Sequence, residues 1–376
     1  MKILQIHNEY LIRGGEDTIL ENEKTILEKK GHKVQQLIRK NKKEIKSIFD
    51  WIVVLKNLSY SNKSIKILDK YFKINKLPDI VHIHNIFPLW TYSIFDYFKK
   101  KKIPMVLTLH NYRLLIDRVK ISNNDYEKFG LFKNSKILTY LISKIFNKNK
   151  IKLTYISKFI CHTNFQKKLY AKYKINNKKI IIKENSLQVK KKYKSWEKRK
   201  DKIIFIGRLS KEKGLLTLLK AWKIWGNEAP ILEIIGDGQE KKKLISFKNT
   251  NNLNKVLFLG KLSYEKVQKK IENSKLIIVP SEWFEPFGLI ITEALSKGTP
   301  VAVSYIGTLP DLIIKYKHGF YFKCNDEFSL FQKVKKAWNK KGYLKKLSNN
   351  AKNTNKIFSH QKNYDHLMSI YNEIKK

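Results

Sequence analysis

The stretch 279-VPSEWFEPFGLIITEALSKG-298 decides how the rest of this chain reads. Just before it, Ser274 to Val279 (SKLIIV) is an apolar run of strand length, and Pro280 ends it. Beyond the loop, the sequence predicts a helix that Pro286 opens and Gly298 closes, with Pro300 following. In that reading the amides of Phe287, Gly288 and Leu289 fall in a first turn without intrahelical acceptors, where the helix dipole favours an anion. The expectation is a phosphate seat. Glu285 stands at its mouth and Glu293 lies eight residues on. A helix rises ~1.5 Å per residue, so the two carboxylates are too far apart to share a proton but can hold two parts of one ligand. Sugar hydroxyls are natural partners for both. A lone glutamate pair at this spacing is usually two solvated charges; the Phe-Gly step, the prolines and the preceding strand set this one apart.

Working outward, Lys202 to Ile206 (KIIFI) is a second apolar strand, and GRLSKEKG follows it directly. Arg208 ends that strand and Lys213 stands at the start of the helix Leu215 to Trp225. A departing nucleoside diphosphate carries roughly two to three negative charges, which a bidentate Arg and a point-charge Lys can neutralise. Taken together, GR-x4-KG and E-x7-E resemble the signature of the retaining GT-B-fold glycosyltransferases of family four, or group one. The resemblance implies an α/β protein of GT-B architecture, with two Rossmann-like domains facing a central cleft and the donor held by the second. It implies that Glu285 orients the donor sugar and Glu293 holds the ribose. It gives the leaving diphosphate to Arg208, Lys213 and the amides at Gly288 and Leu289, with Phe287 beside them among the donor-binding residues. Lys261 and Leu262, after the strand Val256 to Gly260, would line the nucleobase pocket. The cations and the helix end would replace a divalent metal, in keeping with the absence of an Asp-x-Asp motif. No cofactor is implied beyond the nucleotide sugar as substrate.

The N-terminal half reads as further β-α units. Lys2 to His7 is a strand, Tyr10 to Gly15 a loop, Glu16 to Lys30 an amphipathic helix capped by Gly31, and His32 to Leu37 a strand. Asp79 to His84 and Pro104 to His110 are strands whose terminal histidines come to one sheet edge. A zinc pair is disfavoured there, because no Cys or Asp stands at ligand spacing. By resemblance, His110 faces the donor sugar, Asn111 lies beside it on the acceptor side, and Gly14 and Gly15 approach the donor diphosphate. Lys152 to Phe159 reads as strand, Thr163 to Tyr173 as helix and Lys179 to Lys183 as the last strand of this half. After HNYR the chain departs from relatives that carry a Cys-containing loop, running LLIDRVKISNNDYEKFGLFKN, so its acceptor loop is its own. Thr308 replaces a more usual Gly. The charged run Val189 to Asp201 reads as a linker between an acceptor-binding domain, 1–188, and a nucleotide-sugar-binding domain, 202–357. A C-terminal helix, about 358–376, is expected to return to the first domain.

At 376 residues the chain can build two cores. Its two cysteines, Cys161 and Cys324, have neither CxxC nor His spacing, so reduced thiols are expected. The formal charge of +46 comes almost wholly from Lys spread along the chain. A base-reading protein more often concentrates Arg, which argues against nucleic acid. An anionic membrane surface suits spread lysines better. With no signal-like leader and no ~20-residue apolar run, the expected location is the cytoplasm, at the inner face of the cell membrane. The expected partners are a UDP- or GDP-sugar and a glycan or lipid-linked acceptor. Two alternatives stay open: a sugar-nucleotide epimerase or phosphorylase on the same fold, and a non-catalytic scaffold binding polyanions or membrane.

Overall fold

The computed structural model describes residues 1–10, 14–115, 144–145, 148–172, 175–185, 193–354 and 359–375. Residues 116–134 of the acceptor loop and 189–192 of the linker therefore lie outside the described residues. The chain divides into two compact units, the first comprising the described residues of Met1–Asn123, Leu131–Ser186 and His360–Lys376, the second those of Leu187–Ser359.

In the first unit, β1 (Lys2–Glu9), β2 (Lys33–Lys40), β3 (Ile80–Ile83), β4 (Met105–Thr108), β5 (Lys158–Cys161) and β6 (Ile180–Ile182) form one sheet in the order β2-β1-β3-β4-β5-β6. Every pairing is parallel. The order reverses between β1 and β3, and open α/β sheets bind ligands at the carboxyl ends of strands flanking such a reversal. The helix His360–Lys375 packs onto this sheet, its Leu367, Ile370 and Tyr371 sharing a core with Ile3, Leu27, Ile80, Val106 and Ile160.

The second unit repeats the logic. Here β7 (Lys200–Ile206), β8 (Ile231–Ile235), β9 (Val256–Gly260), β10 (Ser274–Val279), β11 (Val301–Ser304) and β12 (Gly319–Phe322) lie in the order β12-β11-β10-β7-β8-β9, all parallel. This is the doubly wound dinucleotide-fold order, with its switch point between β7 and β10. Both faces are covered, which the residues dictate. Ile203, Phe205, Leu276, Ile278 and Ala302 enter one core, while Ile204, Ile277, Val279, Val301 and Val303 enter the other. Alternate residues of an apolar run point to opposite faces, so runs apolar at every position require two apolar partners.

Three sequence expectations need correction. Lys152 to Phe159 is not one strand: Lys150–Tyr155 is a 3-10 helix and β5 begins at Lys158, where it pairs with Val106. Periodicity cannot separate short apolar runs of the two kinds, and register against β4 settles it. The helix Leu289–Ser296 begins three residues beyond Pro286, because Gly288 holds φ +70°, outside helical geometry. Phe287 consequently precedes the helix, and its ring is buried in the core with Ile291 and Leu309. The third is an omission: Tyr264–Asn273 and Tyr343–Thr354 are helices and Gly319–Phe322 a strand, none of which was expected from the sequence.

Candidate functional site

Glu285 lies in the loop between β10 and the helix Leu289–Ser296, at the switch point of the second sheet. Lys213 approaches from the loop after β7. The two loops meet tightly: a Cβ on Gly214 would stand 1.9 Å from Pro280 O, and Gly214 adopts φ +67°, so only glycine fits. Glu282 N–H donates to Glu212 O at 2.9 Å and Thr217 Oγ1 to Glu282 Oε1 at 2.7 Å, clamping the pair of loops. Lys213 Nζ forms an ion pair with Glu285 Oε1, and Ser281 Oγ donates to the same oxygen at 2.8 Å. The Glu285 backbone carbonyl accepts from Thr308 Oγ1 at 2.7 Å, so Thr308 is the residue that pins this loop. The Lys213 ammonium also lies 5.1 Å from the Trp283 ring centroid.

The electrostatics distinguish the two carboxylates. Burial alone would raise the Glu285 carboxyl, but the Lys213 charge and the hydrogen bonds from Lys213 and Ser281 outweigh it, leaving the group below its ordinary range and ionised. Glu293 faces the helix Tyr264–Asn273, where Gln268 Nε2 donates to its Oε2 at 2.9 Å. Burial pushes this carboxyl up to about 7, and Gln268 and the Lys297 charge offset only part of that. Gln268 is the neighbour that sequence reading missed. Its signal was present: Ser263 caps the helix, accepting from Lys266 N–H, and Val267 and Ile271 share a face at i, i+4.

Arg208 is exposed at the end of β7, and Lys261 is exposed and Leu262 half-buried in the loop after β9, both loops at the carboxyl edge of the second sheet. At the head of Leu289–Ser296, Ile291 N–H bonds back to Gly288 O at 2.9 Å, which leaves Leu289 and Ile290 as the first-turn amides ahead of it. The structure therefore brings Lys213 and Glu285 into direct contact, a pairing across 72 residues that the motifs did not announce.

Four of the expected site residues belong to the first unit. Gly14 caps the helix Gly15–Lys29, and its N–H donates to Asp17 Oδ2 at 2.6 Å, so that amide is already engaged within the unit. His110 is buried after β4, with Nε2 3.0 Å from His84 Nδ1. The Asn111 carbonyl accepts from Tyr170 O–H. His84, Asn85, Thr108, His110 and Asn111 line a cavity of about 30 Å³, room for one or two waters or a group of that size. Beneath it, Glu23, His82 and His84 bring three potential ligand atoms within 4.8 Å of one another. The donor set does not favour a cation. Lys183 Nζ already sits 2.7 Å from Glu23 Oε1, and His82 is engaged at both nitrogens, by Tyr371 O–H and Thr108 Oγ1, each at 2.7 Å. His84 and His110 are joined by a hydrogen bond.

Two doubly wound sheets with motif residues at their carboxyl edges define a protein of the GT-B architecture. Residues 15–187 match the Glycosyltransferase Family 4 family and residues 187–354 match Glycosyl transferases group 1, so the chain belongs to the group 1 glycosyltransferases. Among solved structures, it resembles a sucrose-phosphate synthase from Thermosynechococcus elongatus, with TM-score 0.76 at 15% identity, covering 99% of both chains. It also resembles the Anabaena protein HepE in complex with UDP, with TM-score 0.71 at 15% identity over 99% of this chain and 100% of that one. At these identities the likeness is one of fold. In sequence, two uncharacterized glycosyltransferases of Methanocaldococcus jannaschii are 28% identical over 46% of this chain and 29% identical over 60% of it. The chain spans about half the length of each, 48% and 55%.

Proposed function

We propose that the protein transfers a sugar from a nucleoside-diphosphate donor to a hydroxyl of a glycan or lipid-linked acceptor, with retention of anomeric configuration. The observation that carries this reading is the Lys213–Glu285 pair, held with Ser281 at the switch point of the second sheet. In it, Glu285 accepts hydrogen bonds from the donor sugar, and Lys213 exchanges part of its pairing with Glu285 for the departing diphosphate. Arg208 and the first-turn amides at Leu289 and Ile290 stabilise the same charge. Glu293, in its ionised form, accepts from the ribose hydroxyls. UDP is the favoured nucleotide, supported by the HepE structures, which are complexes with UDP and with UDP-glucose. Retention follows the habit of the family. These cations take the place of a divalent metal, so chelators are expected to leave turnover unchanged. Thermal shift against UDP-, GDP-, ADP- and CMP-sugars tests the reading: a ligand at ~100 times its Kd stabilises by ~2.7 kcal/mol. Selective stabilisation by one nucleotide, lost in Glu293→Ala, supports it; silence across the panel overturns it. Incubation of the donor alone separates an epimerase, which converts it without acceptor.

The same reading places the enzyme on an acidic bilayer, and one element favours that. The helix Ile48–Lys56 (IFDWIVVLK) buries none of its residues. Ile48 and Phe49 are 74% and 73% exposed, Val53 58%, with Trp51 and Ile52 close to half. Exposed lysines 42, 43, 46, 56, 63 and 66 flank it. No described helix is long and apolar enough to cross a membrane. Apolar side chains inserted at the interface, each worth ~1.5–3 kcal/mol on full burial, together with lysines at ~1 kcal/mol each, suffice for peripheral docking. Cosedimentation with vesicles containing anionic lipid, lost in Phe49→Glu and weak on neutral vesicles, is the expected result. Equal binding by wild type and Phe49→Glu would remove this helix from the reading.

A further inference from the structure

The polar cluster under the first sheet's carboxyl edge meets the expected site only through His110, which the family resemblance sets facing the donor sugar, yet its hydrogen bonds run in one direction. Glu23, His84 and Lys183 are each at most 3% exposed. Lys183 Nζ holds Glu23 Oε1 at 2.7 Å. The second carboxylate oxygen, Oε2, faces His84 Nε2 at 3.4 Å, and neither atom has a hydrogen-bond partner of regular geometry. On the far side of the ring, His84 Nδ1 stands 3.0 Å from His110 Nε2. The neighbouring imidazole, His82, has Nδ1 3.6 Å from the same Glu23 oxygen, but Tyr371 and Thr108 engage both its nitrogens at 2.7 Å.

Donor and acceptor counting then decides the protons. Burial raises the Glu23 carboxyl, but the charge and hydrogen bond of Lys183 bring it below its ordinary value, so it is ionised and can only accept. Burial and the neighbouring histidines hold His84 and His110 neutral, so each ring carries a single N–H. A carboxylate 3.4 Å from His84 Nε2 repels a lone pair and attracts an N–H. His84 therefore carries its proton on Nε2 and accepts through Nδ1. His110 must donate from Nε2.

We infer that Glu23 and His84 are positioning residues that fix the tautomer of His110, tying its Nε2–H inward and leaving Nδ1 as an unprotonated hydrogen-bond acceptor. The inference rests on the proposed transfer reaction for its consequence: an acceptor at this ring orients a sugar hydroxyl as donor, whereas the other tautomer offers that hydroxyl an N–H. Lys183 anchors the relay by holding the Glu23 carboxylate ionised.

The test reads the proton itself, by long-range proton–nitrogen correlation on the full chain with nitrogen-15-labelled histidine and without substrate. His110 is expected to be protonated at Nε2 in the wild type. In Glu23→Gln the ammonium of Lys183 takes the amide oxygen, the amide nitrogen donates to His84 Nε2, and both rings invert, placing the His110 proton on Nδ1. The donor kcat/KM then falls about tenfold. His84→Asn, whose Oδ1 stands where Nδ1 accepts, keeps the wild-type tautomer and stays within about threefold in kcat/KM. His84→Phe removes the acceptor and leaves His110 a mixture of tautomers; this pair decides the matter if Glu23→Gln fails to fold. A wild-type His110 protonated at Nδ1, or one unmoved by both Glu23→Gln and His84→Phe, overturns the relay. A tautomer that moves as expected in a protein with no transferase activity upholds the relay and overturns the proposed function.

Discussion

The two units use the same topological feature in opposite ways. At the β1/β3 switch point the first sheet buries two carboxylates, an ammonium and several imidazoles and matches them largely to one another: Glu23 to Lys183, His84 to His110, His7 Nε2 to Asp17 at 2.8 Å. At the β7/β10 switch point the second sheet leaves Lys213 partly open, Arg208 exposed, and Glu293 with a carboxyl near neutrality. A buried charge set that neutralises itself holds shape and proton positions; one whose cations reach solvent can exchange its internal partner for a ligand. Topology provides both crevices, and the side chains decide which of them is closed.

The largest effect that would test this contrast is on stability. Lys183→Met strands the fully buried Glu23 carboxylate and should cost ~3–5 kcal/mol in denaturant unfolding, whereas the double change Glu23→Leu with Lys183→Met should recover most of it. A double variant no better than the single one would mean that the pair is not a closed unit. At the open site the expected loss is in rate. Glu285→Gln and Lys213→Ala should each lower turnover ~10²–10³-fold while the protein stays folded, and near-normal rates in either would erase the contrast.

A smaller effect concerns pH. The folded-state pKa of Glu293 is raised from 4.5 to about 7, so between these values the folded state binds more protons than the unfolded one. Its contribution therefore favours folding at low pH and is lost as pH rises through that window, at up to ~1.4 kcal/mol per pH unit. Stability curves of wild type and Glu293→Gln should converge towards the acid end, and nucleotide affinity should tighten as pH rises through about 7 in the wild type alone. Parallel curves would place Glu293 in ordinary solvent. The smallest expected change is Gly14→Ala. With φ −123° and no atom within 4 Å of the added Cβ, it should alter stability by under ~0.5 kcal/mol. Because Asp17 takes the Gly14 N–H, the donor KM should hardly move; a large rise would put this amide on the diphosphate instead.

The second unit's site was more legible than the first's, and the reason is chain distance. GR-x4-KG and E-x7-E each lie within one loop and the start of one helix, so their residues are placed by local geometry. The Lys213–Glu285 contact itself spans 72 residues and exists because β10 lies beside β7. Glu23 and Lys183 are 160 residues apart, on a helix and a strand end that composition makes look like any other Lys- and Glu-bearing surface. Nothing local marks either as buried. The unexpected helix Tyr343–Thr354 failed to register for a related reason, its Lys and Asn residues diluting the apolar spacing of Leu344, Leu347 and Ala351, which reach the core.

By itself the sequence determined the two strand-rich halves, the helix Leu215–Trp225, the strand from Ser274, and the placing of GR-x4-KG and E-x7-E after two apolar strands. Those follow from apolar period, glycine and proline placement, and chemistry carried within a few residues. Tertiary structure alone decided where β5 begins, that Gly288 turns the chain before its helix, that Glu293 meets Gln268, and which nitrogen of His110 holds its proton. Each of these depends on what stands opposite a residue across the fold, since hydrogen bonding and desolvation act over a few ångströms of space and take no account of separation along the chain.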